Sequence, residues 1–255
     1  MSSSATLVYF IIGTPGSGRR ALVLDLIENG LTPAESALVL ISSMEKADVA
    51  EEKLAVRPLT EVRRWERTAP EILPECGVPP STHVFLFADS REDTLTQIES
   101  LKPWMEQRGA ELARIFCVVN CQFAEKHATL LPWFDACIHF ADVVFLTQRA
   151  GVENKWLSGF IRRYEELFYP CHFLQMGKGG IANPAVVLEP QPRRVTQYFE
   201  EVDEYEGIEI GTEDDDEADE DAVDEDAIQP EIYFERNRAG RRVKEVVDPR
   251  SYFEP

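Results

Sequence analysis

Gly13-Thr14-Pro15-Gly16-Ser17-Gly18-Arg19-Arg20 follows the apolar run Thr6 to Ile12 and has the spacing of a phosphate-binding loop. In such a loop, consecutive backbone N–H groups ring a phosphate at a helix N-terminus, so the main chain captures the anion. The glycines have a mechanical reason: a side chain at Gly16 or Gly18 is expected to obstruct that ring. The intact motif ends Gly-Lys-Ser/Thr, with the Lys on the outer phosphates and the hydroxyl on magnesium. Arg19 and Arg20 stand at those two places. Arg19 keeps the charge, but its flat fork does not repeat the point-charge geometry of Lys. Arg20 has no hydroxyl to offer a cation. Gly13, Thr14, Pro15, Gly16, Ser17, Gly18, Arg19 and Arg20 are therefore the candidate contacts for a nucleotide. The cradle is expected to stay positively charged, and magnesium binding to be poor. No residue is assigned as catalytic and none as a metal ligand.

Such a loop needs a strand before it and a helix after it. Thr6 to Ile12 is nearly all apolar, as befits a strand covered on both faces. Arg20 to Asn29 places Leu22, Leu24, Leu26 and Ile27 at helical intervals, and Gly30 ends the pattern. Further strands are predicted at Ala37 to Ser42, His83 to Phe87, Leu112 to Val119, Asp142 to Leu146 and His172 to Gln175. Helices are predicted at Glu45 to Val56, Glu92 to Arg108 with an interruption near Pro103, Phe123 to Phe140, and Glu153 to Tyr169. Residues 57 to 81 are rich in proline and charge and are assigned to neither. The alternation predicts an α/β protein: a three-layer, P-loop NTPase-like fold with a mainly parallel sheet flanked by helices.

The net charge of -20 is unevenly distributed. Residues 200 to 231 hold 18 of the 46 Asp and Glu and no Lys or Arg, leaving 28 acids against 26 bases elsewhere. A near-neutral domain followed by an acidic segment gives no indication of a large basic surface, so no nucleic-acid partner is expected. It also sets the expected boundaries: a nucleotide-binding domain over 1–190, a Pro-containing linker and acidic disordered segment over 191–231, and a short basic segment over 232–255. The acidic tail is a candidate contact for a protein partner. Asn237-Arg238-Ala239-Gly240 suits a hairpin turn. Tyr-Phe-Glu occurs three times, at 198–200, 233–235 and 252–254, either as aromatic anchors for tail segments or as docking motifs. No apolar stretch is long enough to span a bilayer, and Met1-Ser2-Ser3-Ser4 lacks a signal-peptide start, so a cytoplasmic location is expected.

Over residues 5 to 190 the chain resembles the CobW-type P-loop GTPases, kin of the urease and hydrogenase maturation GTPases. Gly13, Gly16 and Gly18 match that family's Gly-x-x-Gly-x-Gly-Lys-Thr. Its strand with a Glu-Thr/Ser-Ser/Thr-Gly ending looks like His83 to Ser90, and its Val-Val-Asp strand end looks like Val118-Val119-Asn120. Its guanine-reading strand, Ala-Asp-x-x-x-Leu-Asn-Lys-x-Asp, looks like Ala141 to Ala150. Few functional side chains carry over. Asp89 is the one acid near the metal motif. Thr147 and Ala150 replace the base-reading Asn and Asp, and only Cys76 lies where Cys-x-Cys-Cys is expected. The resemblance implies a degenerate member: a pseudo-GTPase with little or no hydrolysis, related by descent to metal homeostasis. An alternative is an active NTPase metallochaperone in which Arg19 and Asp89 carry phosphate and metal. A third is an interaction protein acting through the tail and the Tyr-Phe-Glu copies.

The other chemistry-bearing residues are expected to be structural. His83, His127, His139 and His172 show no i, i+4 pairing. Cys117 and Cys121 bracket a strand end where a metal pair would be badly aimed, and Cys137 and Cys171 read as buried thiols. Gly177-Lys178-Gly179-Gly180 reads as a linker, with Lys178 a candidate to approach a nucleotide base.

Overall fold

The computed structural model describes residues 5–80, 82–177, 179–200 and 230–253. Its elements run β1 (Thr6–Gly13), α1 (Arg19–Gly30), β2 (Ser36–Ser42), α2 (Val49–Ala55), β3 (Thr60–Trp65), β4 (Thr82–Phe87) and α3 (Thr94–Glu106). Next come β5 (Ala110–Asn120), α4 (Cys121–Lys126), α5 (Leu131–His139), β6 (Val143–Thr147), α6 (Asn154–Glu165), β7 (His172–Gln175) and α7 (Pro184–Leu188). The seven strands form one parallel sheet in the order β3-β2-β4-β1-β5-β6-β7. The central strand β1 is the one that feeds the glycine loop. From it the chain leaves toward β2 on one side, while β5 leads to β6 on the other. Ligands in open α/β sheets settle at the carboxyl ends of strands where connections diverge in this way.

The apolar run of β1 fills both layers of the core. Val8, Phe10 and Ile12 face one cluster, with Ile98 and Leu101 of α3, Phe134 and Ile138 of α5, and Phe160 and Tyr164 of α6. Tyr9 and Ile11 face the other, with Leu22, Val23, Leu26 and Ile27 of α1 and Val187 and Leu188 of α7. The period-2 alternation of a strand thus produces the three layers.

Four departures from the sequence reading have local causes. β3 is an extra strand within the unassigned proline-rich stretch. It lies at the sheet edge, and its Glu61, Arg63 and Arg64 suit a half-solvated edge better than a buried run. α3 continues through Pro103 to Glu106 without interruption. Pro103 cannot donate to the Glu99 carbonyl one turn back, but the Tyr198 hydroxyl does so at 2.9 Å. The expected helix from Phe123 to Phe140 is two helices joined by a short 3-10 turn, and Pro132 sits in the first turn of α5, where a missing N–H costs little. Finally, α2 begins at Val49, capped by Asp48, not at Glu45. Glu45 therefore belongs to a loop, with consequences for the site.

Tyr198 and Phe199, Tyr233 and Phe234, and Tyr252 and Phe253 all pack against the domain. The ring of Phe234 stacks on Phe140 with centroids 5.2 Å apart and meets Tyr198 edge-on at 4.8 Å. The expected hairpin turn is present: Gly240 N–H donates to the Asn237 carbonyl, and Arg236 and Arg242 form an antiparallel bridge. The acidic stretch 201–229, Lys178 and Glu254 lie outside the described residues.

Candidate phosphate-binding site

The glycine loop leaves the carboxyl end of β1 and enters α1 at Gly18, its N-cap. A Cβ on Gly13 would come within 2.7 Å of the Val118 carbonyl oxygen, so that position excludes any side chain. At Gly16 and Gly18 the reason is different from the one the sequence suggests. A Cβ there would meet no protein atom within 4 Å, but the backbone adopts φ of 70° and 85°, which only glycine takes without strain. The loop is tied to the sheet from behind. The Thr147 hydroxyl lies 2.7 Å from the Ser17 carbonyl and 3.0 Å from that of Val119, bolting the loop to the ends of β5 and β6.

A cavity of about 650 Å³ opens before this loop and the start of α1. Gly16, Ser17, Gly18 and Arg20 line one side, and Glu45 and Arg91 lie on others. Its size suits a small phosphorylated ligand. Ser17 is 1% exposed, and its hydroxyl oxygen has no hydrogen-bond partner among the described residues, as is also true of Thr14. Native proteins rarely leave such groups unpaired, and each costs about 1–3 kcal/mol when left so.

The two arginines do not project freely into this space. Arg19 is buried, and its guanidinium donates to the Ala88 carbonyl at 2.7 Å and to Glu45. Arg20 donates to the other Glu45 oxygen at 2.7 Å and lies 3.8 Å from Asp48 and 3.9 Å from Glu51. One carboxylate thus bridges both cations. The single Glu45 carboxylate, in a stretch whose sequence predicts a helix, offsets one of the two positive charges expected from Arg19 and Arg20. The signal that could have found it is the pair itself: adjacent arginines in a buried loop need an acid, and Glu45 follows the next strand.

The remaining landmarks are spent on structure. Each Asp89 oxygen already accepts a hydrogen bond, one from the Ser42 hydroxyl at 2.6 Å and one from Arg91 N–H at 2.8 Å. The Asn120 side chain caps α4 by accepting from Phe123 N–H at 3.0 Å. Ala150 is exposed and contributes its carbonyl to Gln122. Magnesium does not fit this arrangement. Guanidinium stands where a hydroxyl ligand would be, and the Asp89 carboxylate is turned to other partners. Among the described residues, no group of three His, Cys, Asp or Glu side chains is placed to hold a metal. The histidines pair locally, His83 with Tyr9 and Glu35, and His139 with Glu231. Cys117, Cys121, Cys137 and Cys171 are buried free thiols and Cys76 is half-buried.

One contributor lay beyond the sequence reading. Arg250 and Phe253, from the end of the described chain, also line the cavity. Nothing in their local sequence marks them as neighbours of a loop some 230 residues away.

No family model matches the chain, and no curated protein matches it. Among solved structures it is similar to the Zn(II)-bound YjiA GTPase from E. coli, at 12% identity and a TM-score of 0.44, over 74% of this chain and 67% of that one. It is also similar to a Zn(II)-bound triple mutant of the same GTPase, at 11% identity and a TM-score of 0.38 over the same shares. No helix among the described residues is long and apolar enough to cross a membrane.

Proposed function

We propose that this protein is a nucleotide-binding P-loop module with little or no hydrolysis, a pseudo-GTPase in which Gly13 to Arg20 receive the phosphates. The observation that carries the reading is a glycine loop with left-handed Gly16 and Gly18 at the start of α1, opening on a cavity lined by Ser17, whose buried hydroxyl has no partner among the described residues. Phosphoryl transfer owes nearly all its acceleration to positioning and to charge stabilisation by metal and cations. Arg20 replaces the metal-binding hydroxyl, and Asp89 is committed to Ser42 and Arg91. Such a site binds phosphate without strongly activating it. The family resemblance is the sole link between such a module and metal homeostasis.

Calorimetric titration with GTP, GDP and ATP, with and without magnesium, tests binding, and phosphate release tests turnover. The expected result is magnesium-independent binding with weak base preference and negligible turnover. Rapid magnesium-dependent hydrolysis overturns the proposal in favour of an active NTPase. One observation favours a second reading, a scaffold that needs no nucleotide: Glu45 already satisfies both loop arginines. Absence of binding for all three nucleotides selects it.

A further inference from the structure

The chain beyond the acidic segment does more than cover the domain. Tyr233, 3% exposed, anchors its beginning against His139 and Phe140. Arg242 then clamps it to α3 through Glu99 at 2.9 Å. The last turn, Pro249–Tyr252, arrives beside the glycine loop, and its hold there is slight. It buries no residue, and its contacts with the domain are the Tyr252 hydroxyl on Thr129 at 2.9 Å, the Tyr252 ring on His127, and Arg250 on the Arg91 carbonyl at 3.3 Å, with the ring of the following Phe253 near that of Phe123. A weakly held turn that carries a cation to the mouth of an anion-binding cavity gains most of its reason from what enters the cavity.

We propose that the turn from Asp248 to Phe253 is a subsite of the phosphate pocket, in which Arg250 and Arg91 together receive the anionic part of a phosphorylated nucleotide. The inference rests on the phosphate-binding reading above. Arg250 has five N–H donors. Asp248 takes one from Nε and one from Nη2, and the Arg91 carbonyl takes one from Nη1. Two donors remain, on a fork that Asp248 holds in orientation. Arg91 is exposed, and its guanidinium has no partner among the described residues. Both line the cavity, as does Phe253. Glu45 engages both arginines at the loop and Asp248 pairs with Arg250, so Arg91 brings the guanidinium unpaired among the described residues, and Arg250 adds the two donors that Asp248 and the Arg91 carbonyl leave free. A fork of this kind matches a phosphate better than a point charge does.

The test compares GTP and pyrophosphate binding by the full chain, by Arg250→Ala and by a chain lacking residues 249–255. Loss of a charge-assisted contact predicts about tenfold weaker binding of both probes to Arg250→Ala, and at least that for the truncation. Hydrogen exchange on the full chain provides a readout independent of the variants: GTP should slow exchange at the amides of 248–253. If both variants bind GTP as the full chain does, the subsite is refuted while the phosphate-binding reading stands. Tighter binding by the truncated chain also refutes it, since the turn would then be an obstacle. If the full chain binds neither probe, the phosphate-binding reading falls and takes the subsite with it.

Discussion

Replacing Glu45 with Gln separates the two roles that the glycine loop can play. Glu45 is 11% exposed and bridges Arg19, 4% exposed, and Arg20, 11% exposed. At an effective dielectric of 20, each charge pair at about 4 Å carries about 4 kcal/mol of gross attraction. Desolvation offsets much of that, and breaking a buried pair by removing one partner costs about 3–5 kcal/mol. Arg20 retains Asp48 at 3.8 Å and Glu51 at 3.9 Å, so the lower end, about 3 kcal/mol, applies. For a domain of this size that lowers Tm by about 6–12 °C. The variant also leaves two buried guanidinium groups facing a neutral amide, so an added anion replaces what was lost. Pyrophosphate at about 100 times its Kd would restore about 2.7 kcal/mol, nearly the whole deficit. Thermal melts of wild type and Glu45→Gln across a pyrophosphate titration read both effects. The expected pattern is a low Tm without anion, a steep rise with it, and binding at least tenfold tighter than wild type. A variant that melts with wild type, or that gains no more from pyrophosphate than wild type does, refutes the view that Glu45 holds the place of a phosphate.

Tyr198→Phe removes the donor that serves the Glu99 carbonyl above Pro103 and should cost about 1 kcal/mol by urea denaturation. That cost should shrink in a Pro103→Ala background, and an equal cost in both would disprove the substitution of one donor for the other. Thiol labelling of the native protein with DTNB should modify Cys76 alone, since burial pushes the Cys121 thiol up to about 11 and that of Cys171 up to about 12. A second fast-reacting thiol would contradict the packing. Burial alone would raise the Glu231 carboxyl, but hydrogen bonds from His139 and Thr196 outweigh it and hold the group below its usual 4.5. The docking energy it adds is therefore present above 4.5 and lost as pH falls through the lower folded value. Limited proteolysis should find residues 230–253 released only in acid, and release that begins near neutral pH would count against this anchor.

Much of the fold was legible in the chain because local rules governed it. Continuous apolar runs such as Thr6 to Ile12 mark strands buried on both faces, and helical spacing between them implies a layered parallel sheet. The edge strand β3 escaped because an edge needs no apolar run, and α3 passed Pro103 because a side chain distant in sequence replaced the missing donor. Sequence spacing also located the glycine loop, since left-handed turns at Gly16 and Gly18 are a local demand of the backbone.

The sequence by itself determined that a glycine loop with the spacing of a phosphate-binding loop stands at the head of the first helix, with Arg19 and Arg20 where that motif carries Lys and a hydroxyl. Tertiary structure alone decided what surrounds that loop. Glu45 reaches Arg19 and Arg20 from the next strand's loop, Thr147 holds the loop from across the sheet, and Arg250 arrives from the far end of the chain. Charge and hydrogen bonding act through space, and no pattern of neighbours along the chain encodes which distant group will stand beside an arginine.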